Sequence, residues 1–471
     1  MVYCIYSFGG RKGISTGDVK MKACIIGGGI GGLSTASLLV KRGWKVDVYE
    51  REKILGGRAL SCKIDENYEN LIKKFEMKLI SSNPSMQEIY DMAEYKVDLG
   101  FHLVGGGKKG GCIKLLKELK TEIKYAGSKL GFIGQQIKYP ILSPKDKFSI
   151  LPRIFQLLFA RKSKIEEMKK ISMEEIIEKY GKGKMKLILE LFPRLITTVN
   201  DLSRISAGET FFAQRELMGG DPVIYPYGGL SSISNALAKY IHKRGKIFLN
   251  KKVNKILIED GKAVGIEVGK EERIYELIIS TIPVQHFFTI ADEKEFPEEW
   301  VNYIKNLTST GSVVSYHALD EMDENLLNKS FVFIERNVDF EGNSVVGMVD
   351  FKMNYKNGVA PNKKYLIQSY AICSPEEAKN KSKAMELAEI IEKNIKKLIP
   401  DYEKNMEWRI YSSIWHLDGV AKTIDSIKPD AKTPVKNLYF AGDCVASKGV
   451  GVNCSADSAN LVIKNLEKEK S

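Results

Sequence analysis

The sequence predicts an α/β protein: a parallel sheet flanked by helices, assembled from separated stretches of chain, with an α+β region inserted between them. Three observations carry this expectation. A strand–glycine turn–helix–strand run begins at Lys22, a strand–glycine loop–helix run closes the chain from Leu438, and a glycine turn, helix and strand segment from Tyr225 to Pro283 lies between them. With 471 residues the chain has length for more than one layered core. Hydrophobic residues at 44% and charged residues at 28% place it among ordinary globular proteins rather than disordered or fibrous ones.

The first run reads KACIIGGGIGGLSTASLLVKRGWKVDVYE, a complete βαβ unit. Gly27, Gly29 and Gly32 form G-x-G-x-x-G after a strand and at the opening of a helix, the arrangement that binds a dinucleotide. Gly27 permits the tight turn, Gly29 lets a pyrophosphate approach the backbone, and Gly32 lets helix and strand lie close. The helix amino terminus offers N–H groups and partial positive charge to phosphates. Glu50 ends the second strand, where a carboxylate accepts both hydroxyl protons of an adenosine ribose and disfavours a 2′-phosphate.

The next residues, REKILGGRALS, hold a second glycine turn, Gly56-Gly57-Arg58. At the far end KNLYFAGDCVASKGVGVNCSADSANLVIKNL gives a strand from Leu438 to Ala441, Gly442-Asp443, the loop Gly449 to Asn453 and a helix starting near Cys454 or Ser455. These two segments resemble motifs of the flavoprotein superfamily that includes phytoene desaturases, monoamine oxidases and protoporphyrinogen oxidases. The resemblance implies a Rossmann-type FAD-binding domain. In it Gly57 and Arg58 lie along the pyrophosphate and ribityl chain, with Arg51 beside them, and Asp443 meets a ribityl hydroxyl next to Gly442. Gly451 and Val452 bring N–H groups to the flavin pyrimidine edge, where a helix dipole stabilises the charge of the reduced ring. FAD is expected to be non-covalent, because neither Cys444 nor Cys454 sits in the pattern that relatives use for attachment.

Between them, YPYGGLSSISNALAKYIHKRGKIFLNKKVNKILIEDGKAVGIEVGKEERIYELIISTIP reads as a glycine turn, a helix, a short strand, a β-meander turning at Asp260-Gly261 and a strand ending at Ser280-Thr281. It resembles the phytoene desaturase branch, which includes carotenoid isomerases and retinol saturases. There the backbone of Val253 would bond adenine. The expected organisation is a leader at 1–20, a flexible tail or an upstream start-site artefact, followed by an FAD domain from 21–111, 222–285 and 407–471. A substrate domain is expected from 112–221, mostly helical, and 286–406, with strands and a helix from Pro375 to Leu398, a sheet floor with helices over it.

Candidate catalytic residues are His102, in the D-x-G-x-H element with Asp98 and Gly100, and Tyr225, Trp415 and His416. Each also has a plain structural reading, as a satisfied core residue or as strand-end packing. The spacer before Asp98 is longer than in relatives. A second G-x-G-x-x-G at Gly105, Gly107 and Gly110 lacks a strand ending in an acid and reads as a mobile loop. No metal-ligand cluster or acid pair emerges, which suits a reaction whose electronics belong to a cofactor.

The resemblance implies hydride transfer between flavin N5 and an apolar, isoprenoid-like substrate. Two rivals stand beside it. An amine oxidase would carry a Lys near N5 on a strand where TSTGSVVSYHAL has none, and a flavin-binding structural protein would have a closed tunnel. The motifs specify neither electron acceptor nor oligomeric state. The net charge of +13 reflects scattered Lys interleaved with Glu, so a compositional bias is expected and no nucleic-acid partner. Seven cysteines without C-x-x-C indicate a reducing cytoplasm. Residues Phe148 to Lys164, apolar and then basic, fit either a buried tunnel helix or an interfacial helix in peripheral contact with the inner membrane face, and the buried helix is the expectation.

Overall fold

The structure, a computed structural model, describes residues 21–92, 94–100, 102–148, 160–217 and 223–470. The leader, and residues 149–159 of the apolar stretch, lie outside the described residues.

Five short strands form a parallel sheet in the order Gly245–Phe248, Lys45–Tyr49, Lys22–Ile26, Leu277–Ser280, Leu438–Phe440. The central strand is apolar without alternation because helices cover both faces of such a sheet. Registers of Ile26 with Tyr49 and Ser280, and of Ser280 with Phe440, bring the carboxyl ends to one edge. That edge is where ligands bind in open α/β sheets. Helix Ile30–Lys41 packs against Ser231–Ile241 and Val452–Lys470 and is buried at every residue but Lys41.

The second layer is an eight-stranded mixed sheet. Its order is Met77–Asn83, Met406–Ile414, Gly311–Leu319, Tyr365–Cys373, Val345–Asp350, Ser330–Glu335, Leu130–Ile133, Ile137–Lys138. Alternation divides its side chains: Val313, Ile367 and Tyr411 pack under helix Lys381–Leu398, while Val314, Tyr316, Tyr370 and Trp408 point the other way, toward Leu60, Leu99 and Tyr225. On that second face helix Lys184–Thr197 lies over strand Val345–Asp350, and a satellite core of Met173, Ile188, Ile205 and Phe211 joins the helices from 162 to 217. The expected sheet floor under helices is therefore present.

Several expectations change. The long spacer before Asp98 is a structural insertion: it builds strand Met77–Asn83 on the edge of the large sheet and returns in register, Ser61 opposite Asp98. Strands Met77–Asn83 and Met406–Ile414 thus belong to the large sheet, and the divisions expected at 111 and 407 do not follow the sheets. The stretch expected as mostly helical also holds strands Tyr125–Ser128, Leu130–Ile133 and Ile137–Lys138. The helix from Pro375 breaks at Asn380, which caps Lys381–Leu398. The last helix begins at Val452 rather than near Cys454.

Candidate functional site

At the carboxyl edge of the parallel sheet the separated motifs meet. Gly27 has φ +107°, a backbone only glycine adopts readily, and its N–H donates to Tyr49 O at 2.9 Å. A Cβ on Gly32 would stand 2.2 Å from Gly27 O, so the helix packs on the turn only because that side chain is missing. Gly29 differs: its backbone is ordinary, and an added Cβ would find no protein atom nearer than 4.0 Å. Nothing in the protein requires glycine there, whereas a pyrophosphate against the helix terminus would. No side chain caps that terminus and its first turn carries no acid, so its N–H groups are left for a ligand.

Glu50 is buried beside this turn. Its Oε2 accepts from Gly28 N at 2.7 Å and its Oε1 from Glu52 N at 2.9 Å. Burial pushes its pKa up, against the pull of both donors. Each oxygen keeps a second lone pair for a hydroxyl. Asn250 and Lys251 bond the carbonyls of Glu52 and Glu50, which draws the segment leading into Val253 alongside. Arg51 is exposed and turns away, donating to Lys74 O at 3.0 Å.

The two ends of the chain are in direct contact. A Cβ on Gly31 would lie 2.7 Å from Gly442 Cα, and Arg58 Nη2 donates to Asp443 Oδ1 at 2.6 Å across 385 residues. Arg58 also donates to the carbonyls of Leu417 and His416 at 3.0 and 3.3 Å, and Asp443 Oδ2 accepts from Gly419 N at 2.9 Å. Beneath them Asp418 holds Lys422, and Lys428 bonds Asp443 O. Burial disfavours the charge on Asp418, but Lys422 and Lys428 overcome it and hold the carboxyl well below its usual range. Burial also opposes the charge on Arg58, and Asp443 outweighs it, raising the pKa. Among the described residues this cluster has three cations against two carboxylates, a net positive charge facing the glycine edge.

Opposite lie Gly100 and the segment 102–111. A Cβ on Gly100 would approach Arg58 O at 3.5 Å, and one on Gly105 would meet Leu217 and Val450. The second glycine repeat, expected as a mobile loop, is instead pinned by Asn453, which donates to Gly105 O at 2.7 Å and accepts from Cys112 N at 3.0 Å. Asn453 stands in the first turn of the last helix. Gly451 before it has φ +49° and open space around its Cβ position, as Gly29 does.

The catalytic candidates separate. His102 and Tyr225 come together, rings 5.8 Å apart, both fully buried under the large sheet. His102 Nε2 lies 3.1 Å from Asp350 Oδ1, and Asp350 pairs with Lys352 Nζ at 2.8 Å, with no exposure of any of the three side chains. The Tyr225 hydroxyl faces Asp98, whose pKa is raised by burial and which also takes Ser61 and Leu230 N. Trp415 packs on the far face of the sheet, among the residues beneath helix Lys381–Leu398. His416 projects to Glu76, Nδ1 to Oε2 at 2.9 Å.

Several residues of this edge were not singled out from sequence. Gly31 lies in the run GGGIGG, where its extra glycine was the available signal. Lys422 stands four residues after Asp418 in an apolar loop, so the pairing of the two was readable. Lys352, Asp350 and Glu76 gave no signal, because their partners are distant in the chain.

Comparison with known proteins gives the family. Residues 30–459 match the model of a family described as flavin containing amine oxidoreductase. The chain belongs to that family. It is accordingly placed among flavin-dependent oxidoreductases. Prolycopene isomerase 2 of an Oncidium hybrid cultivar is 32% identical over 96 residues, 20% of this chain and 16% of the relative. A neurosporene-forming phytoene desaturase of Cereibacter sphaeroides is 22% identical over 306 residues, 58% of this chain and 55% of the relative. The match thus spans about half of that desaturase and far less of the isomerase. Among solved structures, an oxidoreductase from Methanosarcina mazei shares the fold with TM-score 0.74 at 21% identity, covering 94% of this chain and 100% of that one.

Proposed function

We propose that this flavoenzyme holds FAD without a covalent bond and exchanges a hydride between flavin N5 and an apolar, isoprenoid-like substrate, by desaturation, saturation or isomerisation. The observation that carries the cofactor reading is the contact between the amino- and carboxy-terminal motifs, where Arg58 pairs with Asp443 and Gly29 has room beside its backbone that its own conformation does not require. Gly27, Gly29 and Gly32 with the first helix terminus would receive the pyrophosphate, Glu50 the adenosine ribose, and the backbone near Val253 the adenine. Gly57, Arg58, Gly442 and Asp443 would line the ribityl chain, and Gly451 with Val452 the pyrimidine edge. Bound FAD supplies the two-electron chemistry. The protein's part is to orient the substrate, exclude water and favour negative charge on the ring through the net positive cluster and the terminus of helix Val452–Lys470.

Non-covalent binding is supported by the thiols nearest the edge. Cys444 and Cys454 are buried, and burial pushes Cys444 up to about 12 and raises Cys454. Thiols held protonated are poor nucleophiles. The apolar substrate is supported by the named activities of the isomerase and desaturase relatives. The amine reading has the family's name in its favour, but strand Gly311–Leu319 carries no Lys. Anaerobic mixing with polyprenyl, carotenoid and amine substrates discriminates. Bleaching of the oxidised flavin by an isoprenoid alone, reoxidation of the pre-reduced flavin by one, or isomerisation of one that requires the reduced flavin supports the proposal, and bleaching by an amine alone overturns it.

A further inference from the structure

Beside the flavin edge, three residues far apart in the chain converge. Glu76 Oε1 lies 2.7 Å from His286 Nε2 and Glu76 Oε2 lies 2.9 Å from His416 Nδ1, with one ligand atom from each residue mutually within 4.8 Å. The two imidazoles are near-parallel, 28° apart, with centroids separated by 6.0 Å. Glu76 has φ +58°, a conformation a non-glycine residue adopts at a cost, so the fold holds this carboxylate between the rings against a local preference. His416 is buried and its Nε2 has no hydrogen-bond partner. His286 is half-exposed and opens the group to solvent.

We infer that Glu76, His286 and His416 form a binding site for one divalent transition-metal ion of the zinc class, which staples the two sheet layers together. Two imidazoles and a carboxylate are a nitrogen and oxygen set suited to Zn²⁺, and three protein ligands leave a position for water. The proton balance closes without an outside acceptor. When the ion takes His286 Nε2 and His416 Nδ1, each neutral ring carries its proton on the other nitrogen, toward solvent for His286 and on the buried Nε2 for His416, where the described residues offer no acceptor. The entry path is the exposed side of His286. The ligands come from both layers. His286 sits in the turn Val284–Thr289 after the parallel-sheet strand Leu277–Ser280, whereas Glu76 and His416 flank strands Met77–Asn83 and Met406–Ile414 of the large sheet. An ion here would fix the seam along which Arg58 reaches the carbonyl of His416. The site does not depend on the substrate or on the mode of flavin binding.

The test uses the full-length flavoprotein, stripped with a chelator, desalted and titrated calorimetrically with Zn²⁺ at pH 7.5. The expected result is one saturable site per chain, weakened at least a hundredfold in both His286→Ala and Glu76→Gln and unchanged in His242→Ala. Zn²⁺ should also raise the thermal midpoint of the native protein and leave that of His286→Ala unmoved. Because His286 is half-exposed, that variant keeps its fold, which its circular dichroism and flavin content verify. Absence of saturable binding to the native chain overturns the inference, as does undiminished affinity in His286→Ala.

Discussion

The two sheets bury charge in different ways. At the edge of the parallel sheet, Arg58, Asp443, Asp418, Lys422 and Lys428 are held largely by backbone carbonyls and N–H groups, one cation is in excess, and Gly29 and Gly451 face open space. Under the eight-stranded sheet, Lys352 and Asp350 are fully sealed and bonded to each other and to Ser330, with His102 Nε2 3.1 Å from Asp350. In the proposed reading the first arrangement receives an anionic cofactor, whereas the second lies wholly in the interior and leaves both ring nitrogens of His102 without a hydrogen-bond partner. Buried ionisable groups by themselves therefore do not mark a cofactor site.

Breaking the sealed network should cost stability and leave the cofactor edge intact. Lys352→Met leaves Asp350 in the interior without its lysine, and loss of about 3–5 kcal/mol of stability is expected from chemical denaturation. The same variant should keep native FAD affinity in its folded fraction. A variant as stable as the native chain would mean that the two networks are not different in kind.

At the cofactor edge the order reverses. Gly29→Val should fold normally yet weaken FAD by more than about a hundredfold, roughly 2.7 kcal/mol, because its side chain would fill the pyrophosphate path. Gly32→Val should instead fail to fold, since Gly27 O occupies the space its Cβ needs. Equilibrium dialysis and circular dichroism separate the two outcomes. Glu50→Ala and Asp443→Ala should each weaken FAD by roughly tenfold to a hundredfold, the worth of a charge-assisted hydrogen bond at about 1.5–3 kcal/mol.

Acid sharpens the comparison from the other side. His317 is buried between Tyr402 and Ser315 beneath helix Lys381–Leu398, and burial pushes its pKa down to about 3. The unfolded chain titrates near its ordinary value of 6.5 and so binds more protons than the fold between 6.5 and about 3. Stability must fall with pH across that window. From pH 7.5 to 5.0 this group alone removes about 2 kcal/mol, and His317→Gln should lose correspondingly less on acidification. Denaturation midpoints at the two pH values measure it. The smallest effect concerns lipid. Among the described residues no helix is long and apolar enough to cross a membrane. Salt-sensitive flotation of the protein with anionic vesicles, at about 1 kcal/mol per basic residue near the surface, would favour an interfacial role for 148–164, and its absence would favour the buried helix.

The same contrast explains what could be read from sequence. Gly27, Gly32 and Glu50 were legible because a strand, a turn and a helix adjacent in sequence impose them through backbone geometry. Even the contact of Gly31 with Gly442 follows once the carboxyl ends of five parallel strands share an edge. The large sheet offered no such local rule. Its strands from Gly311 to Cys373 were recognisable as strands, but the recruitment of Met77–Asn83 and Met406–Ile414 to it depends on pairing across hundreds of residues. Glu76 meets His286 and His416 for the same reason, so nothing near any one of them announces the group.

The central claim is that both ends of the chain build one FAD site, and flavin content measures it most directly. The purified protein should be yellow, and acid precipitation should release about one FAD per chain into the supernatant, leaving a colourless pellet, as expected where no thiolate is available to attach it. A colourless protein that takes up no FAD on reconstitution would contradict the account, and flavin retained in the acid pellet would contradict the non-covalent part of it.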